Sequence, residues 1–380
     1  MPRRFELWFP FSPSTIGVTE PDIPTTHNRP FAQVLRQITA DGKWECEQVY
    51  LTDRTSQYAT QGIVRDHFYP VSLRWRHSSR VYARQWSLHA LRAVLLYPPG
   101  TLAIFSAYGL FAKAIAYTAH LRRVPYIVIV GGWYNRINKS QKWYFDHALR
   151  VLVHTEMQKR ALVDVGYNES NIETFPLGID TAQFAPKLDS AYQSHLNYPH
   201  LLYVGRLQPS KGPFEALLTF EAVKRQYPQA TLTLAGPCTD QAFFQRMRDY
   251  VREHALESAV TFAGPVPYER LPGYYQSADI FLFPSPYEGL PSVVLESMAC
   301  GTPPIVIRGS GGTEEAVIHG EVGWVVDMPR LAYETIQILA EPDKLRVMGQ
   351  RAVERIRSVY PADRTYNQLT RILESAEMVR

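Results

Sequence analysis

Two carboxylates and two cations in the second half of the chain have the types and spacing to do chemistry. Glu288 and Glu296 stand eight residues apart in the segment PSPYEGLPSVVLE, residues 284–296. Arg206 and Lys211 stand five apart in GRLQPSKG, residues 205–212. Each ionised carboxylate accepts two or more hydrogen bonds, which suits sugar hydroxyls. Arginine offers a planar fork and lysine a point charge, and together they can grip a diphosphate. A plainer reading also fits the carboxylates. Glu288 would then cap a helix, and Glu296 would lie on a solvated helix face.

The elements needed to position these groups can be read from the flanking residues. Ile280 to Phe283 is a short apolar run, as expected of a buried strand. Pro291 to Ala299 reads as a helix with proline at its first position, stopped by Gly301 and Pro303. Glu288 therefore falls in a strand-to-helix loop, and Glu296 about 7 Å further along the helix axis. Leu201 to Val204 reads as a strand, and residues 213–226 as a helix. Arg206 and Lys211 thus occupy a second strand-to-helix loop. In an open parallel sheet such loops lie at the carboxyl ends of strands, where ligands bind. A helix N-terminus there presents free N–H groups and a positive dipole end. Strand and helix patterns alternate from Leu201 to Ile307, which predicts a doubly wound α/β domain. The glycine fingerprint of dinucleotide-binding turns is missing after the first of these strands, which argues against a dehydrogenase.

Glu-x7-Glu within PSPYEGLPSVVLESMACGTPPIV resembles the donor-site signature of retaining glycosyltransferases of the GT-B fold, family 4. LLYVGRLQPSKGPFEALL is similar to that family's phosphate-binding segment, and FPLGIDTAQFAP to its interdomain segment. GGTEEAVIHGEVGWVV is similar to the donor-loop stretch that follows the Glu pair. The resemblance covers most of the second half in the expected order; the first half resembles the family only loosely. It implies two Rossmann-like doubly wound domains facing across a cleft. The activity implied is transfer of a hexose-like unit from a nucleotide sugar, with retention at the anomeric carbon and no enzymic nucleophile. By the same resemblance Arg206 and Lys211 hold the diphosphate, and Glu296 binds the ribose diol. Glu288 contacts the transferred sugar, assisted by backbone N–H groups of Gly289 and Leu290, with Gly205 in the phosphate-binding turn. No metal and no cofactor are expected.

The first half departs from that pattern in two places. Where the family usually has a Gly-Gly pair in the first loop, this chain has Thr25-Thr26-His27-Asn28. His27 is therefore an acceptor-side candidate, although a lone loop histidine is more often a solvated surface residue. Many family members have histidine where this chain has Gly131. Gly131 and Gly132 would let main chain approach a ligand, and Trp133 could stack on one. His154 reads as structural, and Thr155 as the N-cap of the helix after it.

With 380 residues, 46% of them hydrophobic and 20% charged, two domains of ordinary size are expected. The boundaries predicted are 1–190, 191–360, and a terminal helix over 361–380 crossing back to the first domain. No run of eighteen uncharged apolar residues occurs, and Glu6 interrupts the only apolar stretch at the N-terminus, as expected of a protein without a signal peptide. Three scattered cysteines predict neither a disulfide framework nor a zinc site, and a reducing, cytoplasmic setting. Residues 1–190 hold 22 Lys/Arg against 15 Asp/Glu, a balance of +7, while the whole chain is +4. Over residues 72–96, Arg74, Arg76, Arg80, Arg84 and Arg92 alternate with Trp75, Tyr82, Trp86 and Leu91. That pattern fits peripheral contact with an anionic membrane face, and equally a helix that buries its aromatics and snorkels its arginines. No nucleic-acid module or long Lys/Arg block is present.

Three other functions compete on sequence grounds. A glycoside hydrolase could use the Glu pair but would leave Arg206 and Lys211 without a role. A nucleotide-sugar epimerase of the same fold would need no acceptor. A non-catalytic sugar-nucleotide-binding protein would fit Gly131. The sequence leaves the base, the sugar and the acceptor open.

Overall fold

The computed structural model describes residues 3–16, 19–23, 29–55, 57–59, 62–74, 85–97, 102–105, 109–131, 141–187, 198–238 and 240–378. It forms two compact units, Met1–Pro176 with Asp363–Arg380, and Leu177–Ala362. The join at Pro176 comes earlier than the predicted 190. The reason is packing: Ile179 and Phe184, fully buried, are part of the second unit's core.

In the first unit the strands are β1 (Arg3–Phe9), β2 (Trp44–Thr52), β3 (Tyr58–Ala59), β4 (Arg65–Pro70), a ribbon of β5 (Leu73–Arg74) and β6 (Gln85–Trp86), then β7 (Leu102–Phe105), β8 (Tyr126–Val130), β9 (Arg150–Val153) and β10 (Ile172–Thr174). The main sheet runs β10-β9-β8-β7-β1-β2-β4-β3, parallel except where β3 pairs with β4. Val128, Val130, Val151 and Val153 are completely or almost completely buried in its core. The terminal helix Ala362–Met378 is tied to this unit: Thr365 Oγ1 donates to the Pro176 carbonyl at 3.0 Å, and Gln368 Nε2 to the Thr174 carbonyl at 2.7 Å. The span 72–96 is not one helix. Its described parts are the β5–β6 ribbon and a helix, Leu88–Leu95, capped by Ser87; Arg76, Arg80 and Arg84 lie outside the described residues.

Among the described residues the second unit has six strands: β11 (His200–Val204), β12 (Thr231–Ala235), β13 (Val260–Gly264), β14 (Ile280–Phe283), β15 (Pro304–Ile307) and β16 (Trp324–Val326). All pairings are parallel, in the order β13-β12-β11-β14-β15-β16. Leu201, Leu202, Leu232, Leu234, Ile280, Phe281, Leu282, Ile305 and Val306 are fully buried, as a parallel sheet covered on both faces requires. This strand order reverses between β11 and β14, the place where a doubly wound sheet opens a ligand crevice. The three cysteines are unpaired, and among the described residues no helix is long and apolar enough to cross a membrane.

Candidate active site

The loops that leave β11 and β14 come together at this reversal. The contact depends on Gly212, whose φ of +73° and lack of a side chain let it lie against the Pro284 backbone. A Cβ at 212 would sit 2.3 Å from the Pro284 carbonyl oxygen, so no other residue fits without moving a loop. Pro213 then starts the helix Pro213–Gln226. The buried Tyr203 hydroxyl lies 3.2 Å from the Arg206 carbonyl and 3.1 Å from that of Lys211, bracing both ends of the loop from below.

Lys211 is thereby carried to Glu288. Its Nζ donates to Glu288 Oε1 at 2.6 Å, and Ser285 Oγ donates to the same oxygen at 2.5 Å. The ion pair is largely screened from solvent, with side chains 20% and 12% exposed. The backbone of Glu288 is held from the other side by the loop after β15. Glu288 N donates to Ser310 O at 2.7 Å, and Gly312 N to Glu288 O at 3.2 Å. Glu288 is not a helix cap. The helix Ser292–Ala299 starts one position later than predicted, with Pro291 as its N-cap residue and no side-chain cap bond. The N–H groups of Gly289 and Leu290 make no hydrogen bond among the described residues, and they lie just before that helix N-terminus. Arg206, half-buried, has no side-chain hydrogen bond or ion pair among the described residues.

Glu296 differs from the plainer of its two sequence readings. It is 2% exposed, so it is not on a solvated face. It points into the unit, where Oε2 accepts a hydrogen bond from Tyr275 at 2.9 Å. Burial, followed by the Glu296 charge and hydrogen bond, holds the Tyr275 phenol well above its usual range, so it remains a donor. The structure thus brings Lys211, Glu288, Gly289, Leu290 and the loop of Gly205 and Arg206 to one end of the sheet, with Glu296 seated beneath. Ser285, Tyr203 and Tyr275 join them unannounced by the sequence. Serine in a Pro-Ser-Pro turn and tyrosine in apolar or aromatic runs carry no local signal of what they will touch.

In the first unit Gly131 follows β8 and is exposed. His154 follows β9, buried, with Nδ1 2.9 Å from the Phe175 carbonyl. Thr155 caps the helix Glu156–Asp164 in a reciprocal arrangement with Gln158. His27, Gly132 and Trp133 lie outside the described residues.

Known proteins share this fold. The chain aligns over its whole length with sucrose-phosphate synthase from Thermosynechococcus elongatus, at TM-score 0.75 and 22% identity, covering 100% of both chains. It also aligns with HepE from Anabaena in complex with UDP and glucose, at TM-score 0.74 and 15% identity, covering 98% of this chain and 100% of that one. The fold is GT-B. Residues 186–355 match the family described as glycosyl transferases group 1. Over 189 residues the chain is 34% identical to a D-inositol 3-phosphate glycosyltransferase of Acidothermus cellulolyticus, covering 47% of this chain and 42% of that protein. Over 184 residues it is 33% identical to a glycogen synthase of Mycobacterium tuberculosis, covering 48% and 43%. The match thus spans less than half the length of either relative; the family match includes Arg206, Lys211, Glu288 and Glu296.

Proposed function

We propose that this GT-B protein transfers a hexose-like unit from a nucleotide sugar to an acceptor, with retention at the anomeric carbon. The observation that carries the reading is the convergence of Lys211, Glu288 and the unpaired Arg206 at the strand-order reversal of the second sheet. In this scheme Arg206 and Lys211 contact the diphosphate and stabilise the charge that builds as the sugar–phosphate bond breaks, a type of term worth several kcal/mol in a dry site. Lys211 can serve both partners, because an ammonium has three donors and Glu288 takes one. With Oε1 occupied by Lys211 and Ser285, Glu288 offers Oε2 to hydroxyls of the transferred sugar. Gly289 and Leu290 present N–H groups to sugar or phosphate. Glu296 takes the ribose diol. The acceptor hydroxyl attacks on the face from which the diphosphate departs, so no covalent sugar–enzyme adduct forms.

Two relatives and a fold neighbour motivate the donor class: the curated names describe glycosyl transfer and glycogen synthesis, and the HepE structure holds UDP and glucose. Thermal-shift measurements with UDP-, GDP- and ADP-sugars test the reading. A donor at 100 times its dissociation constant should stabilise the chain by about 2.7 kcal/mol. No shift with any of the three would remove the donor assignment. Acceptor-independent conversion of the donor into an epimer would favour the epimerase.

The acceptor, in this reading, is anionic or lipid-linked and met at a cytoplasmic membrane face, in keeping with the +7 balance of residues 1–190. Each Lys or Arg near an anionic surface adds roughly 1 kcal/mol, screened over about 8 Å at physiological salt. Co-sedimentation with anionic vesicles should therefore fall as salt rises. Equal sedimentation with neutral and anionic vesicles at low salt would sink the membrane contact and leave the chemistry untouched.

A further inference from the structure

We propose that Nε2 of His154 accepts a hydrogen bond from a hydroxyl of a bound sugar or polyol at the carboxyl ends of β8 and β9. The register pairs Val130 with Val153, so the residues that follow, Gly131 and His154, leave the sheet side by side. Among the described residues, a Cβ built on Gly131 would meet one atom within 4 Å, His154 Nε2 at 3.8 Å. Glycine therefore leaves open the volume that the imidazole edge borders, and Gly131 itself is exposed. The other ring nitrogen is committed. Nδ1 lies 2.9 Å from the Phe175 carbonyl, which can only accept, so Nδ1 carries the hydrogen and Nε2 carries the lone pair.

Nε2 has no hydrogen-bond partner among the described residues, although the side chain is almost fully buried. Burial holds the imidazole below its ordinary value of 6.5, with the Phe175 bond opposing, so the ring is neutral at physiological pH. A neutral acceptor selects its ligand by chemistry. Carboxylate and phosphodiester oxygens have no proton to give it, whereas a sugar hydroxyl does. The identity of that hydroxyl as part of the transfer reaction rests on the function proposed above.

The test uses the full chain and two substitutions. His154→Asn keeps a side-chain N–H for the Phe175 carbonyl and removes Nε2. Gly131→Ala places a methyl group at ordinary contact distance from the ring, in the space the hydroxyl would occupy. Both variants should retain the wild-type Tm and UDP affinity within error and lose at least tenfold in kcat/KM. The arms separate two sources of the hydroxyl. Equal loss in donor hydrolysis without acceptor assigns it to the transferred sugar; loss confined to the KM for acceptor assigns it to the acceptor. In parallel, the Nε2 resonance of 15N-histidine-labelled protein is followed during titration with UDP-glucose, GDP-mannose, D-glucose and glycerol, with Nδ1 expected to stay in place. The proposal is overturned if kcat and KM of both variants lie within twofold of wild type, or if no titration moves Nε2. Failure of the transfer reading looks different, since then no nucleotide sugar stabilises the wild-type chain, while D-glucose and glycerol still report on Nε2.

Discussion

The two sheets handle charge in opposite ways. In the second unit the strands are apolar, and the cations and carboxylates ride on loops beyond their carboxyl ends: Arg206 and Lys211 after β11, Glu288 after β14. In the first unit charges are built into the strands. Arg4 and Glu6 on β1, Glu47 on β2 and His67 on β4 share one region of the sheet, and Glu6 and Glu47 are neighbours in register. Arg4 donates to Glu6 at 2.5 Å and to Glu47 at 2.8 Å, while Trp8 Nε1 and the Tyr97 hydroxyl also donate to Glu6. Glu6 and Glu47 are 1% and 3% exposed. A charge on a loop can exchange its partner for a ligand. A charge inside a sheet is committed to the partners that offset its desolvation.

The largest expected effect follows from that commitment. Arg4→Ala would leave two buried carboxylates without their shared cation, which should cost about 3 kcal/mol of stability. Nucleotide-sugar affinity of the folded protein should not change. Denaturant unfolding and a binding titration on the same variant check both halves. A loss under 1 kcal/mol would mean that water or protonation already relieves Glu6, and the contrast between the sheets would fail.

Arg206→Ala and Lys211→Ala should show the reverse pattern. Each removes charge-assisted hydrogen bonds worth about 1.5–3 kcal/mol to the reacting complex, or roughly tenfold to 150-fold in kcat/KM. Stability should move by less than 1 kcal/mol, because Arg206 has no hydrogen-bond or ion-pair partner among the described residues to abandon and Glu288 keeps Ser285. Steady-state turnover beside thermal unfolding separates the two. Near-wild-type turnover in both variants would place the diphosphate elsewhere.

The same difference explains what the sequence disclosed. β11, β12, β14 and β15 are apolar runs between turn residues, and their loops carry Gly, Pro, Arg, Lys and Glu at informative spacing. The position of Lys211 beside Glu288 could then be anticipated from topology alone. In the first unit β4 is hidden, because Arg65, Asp66 and His67 break the apolar pattern, and the carboxylate that Arg65 and His67 share, Glu47, lies on β2, some twenty residues away in sequence. β16 is only three residues long and gives little periodicity to read. The burial of Glu296 was hidden for a related reason. Nothing in SVVLESMA tells which side of so short a helix faces Tyr275. His154 was legible as structural through its place after β9, but its open nitrogen depends on a glycine one strand away.

The smallest effect sharpens the comparison within the first sheet itself, through Glu47. Burial alone would raise its pKa, but the His67 hydrogen bond and the charges of Arg4, His67 and Arg65 outweigh burial and hold it below the ordinary 4.5. Its contribution to stability is therefore complete above pH 4.5 and is lost as pH falls through the folded-state value. Glu6 behaves oppositely. Burial, the largest influence, leaves its pKa raised above 4.5, so its contribution is complete below 4.5 and is lost as pH rises through the folded-state value. In the wild type the two slopes fall on opposite sides of pH 4.5. Glu47→Gln removes only the first, so the difference in unfolding free energy between wild type and variant should shrink on acidification below pH 4.5. Thermal unfolding of both proteins from pH 6 to pH 3.5 measures it. Parallel curves across that range would show that Glu47 is not held below its ordinary value, and that Arg4 serves Glu6 alone.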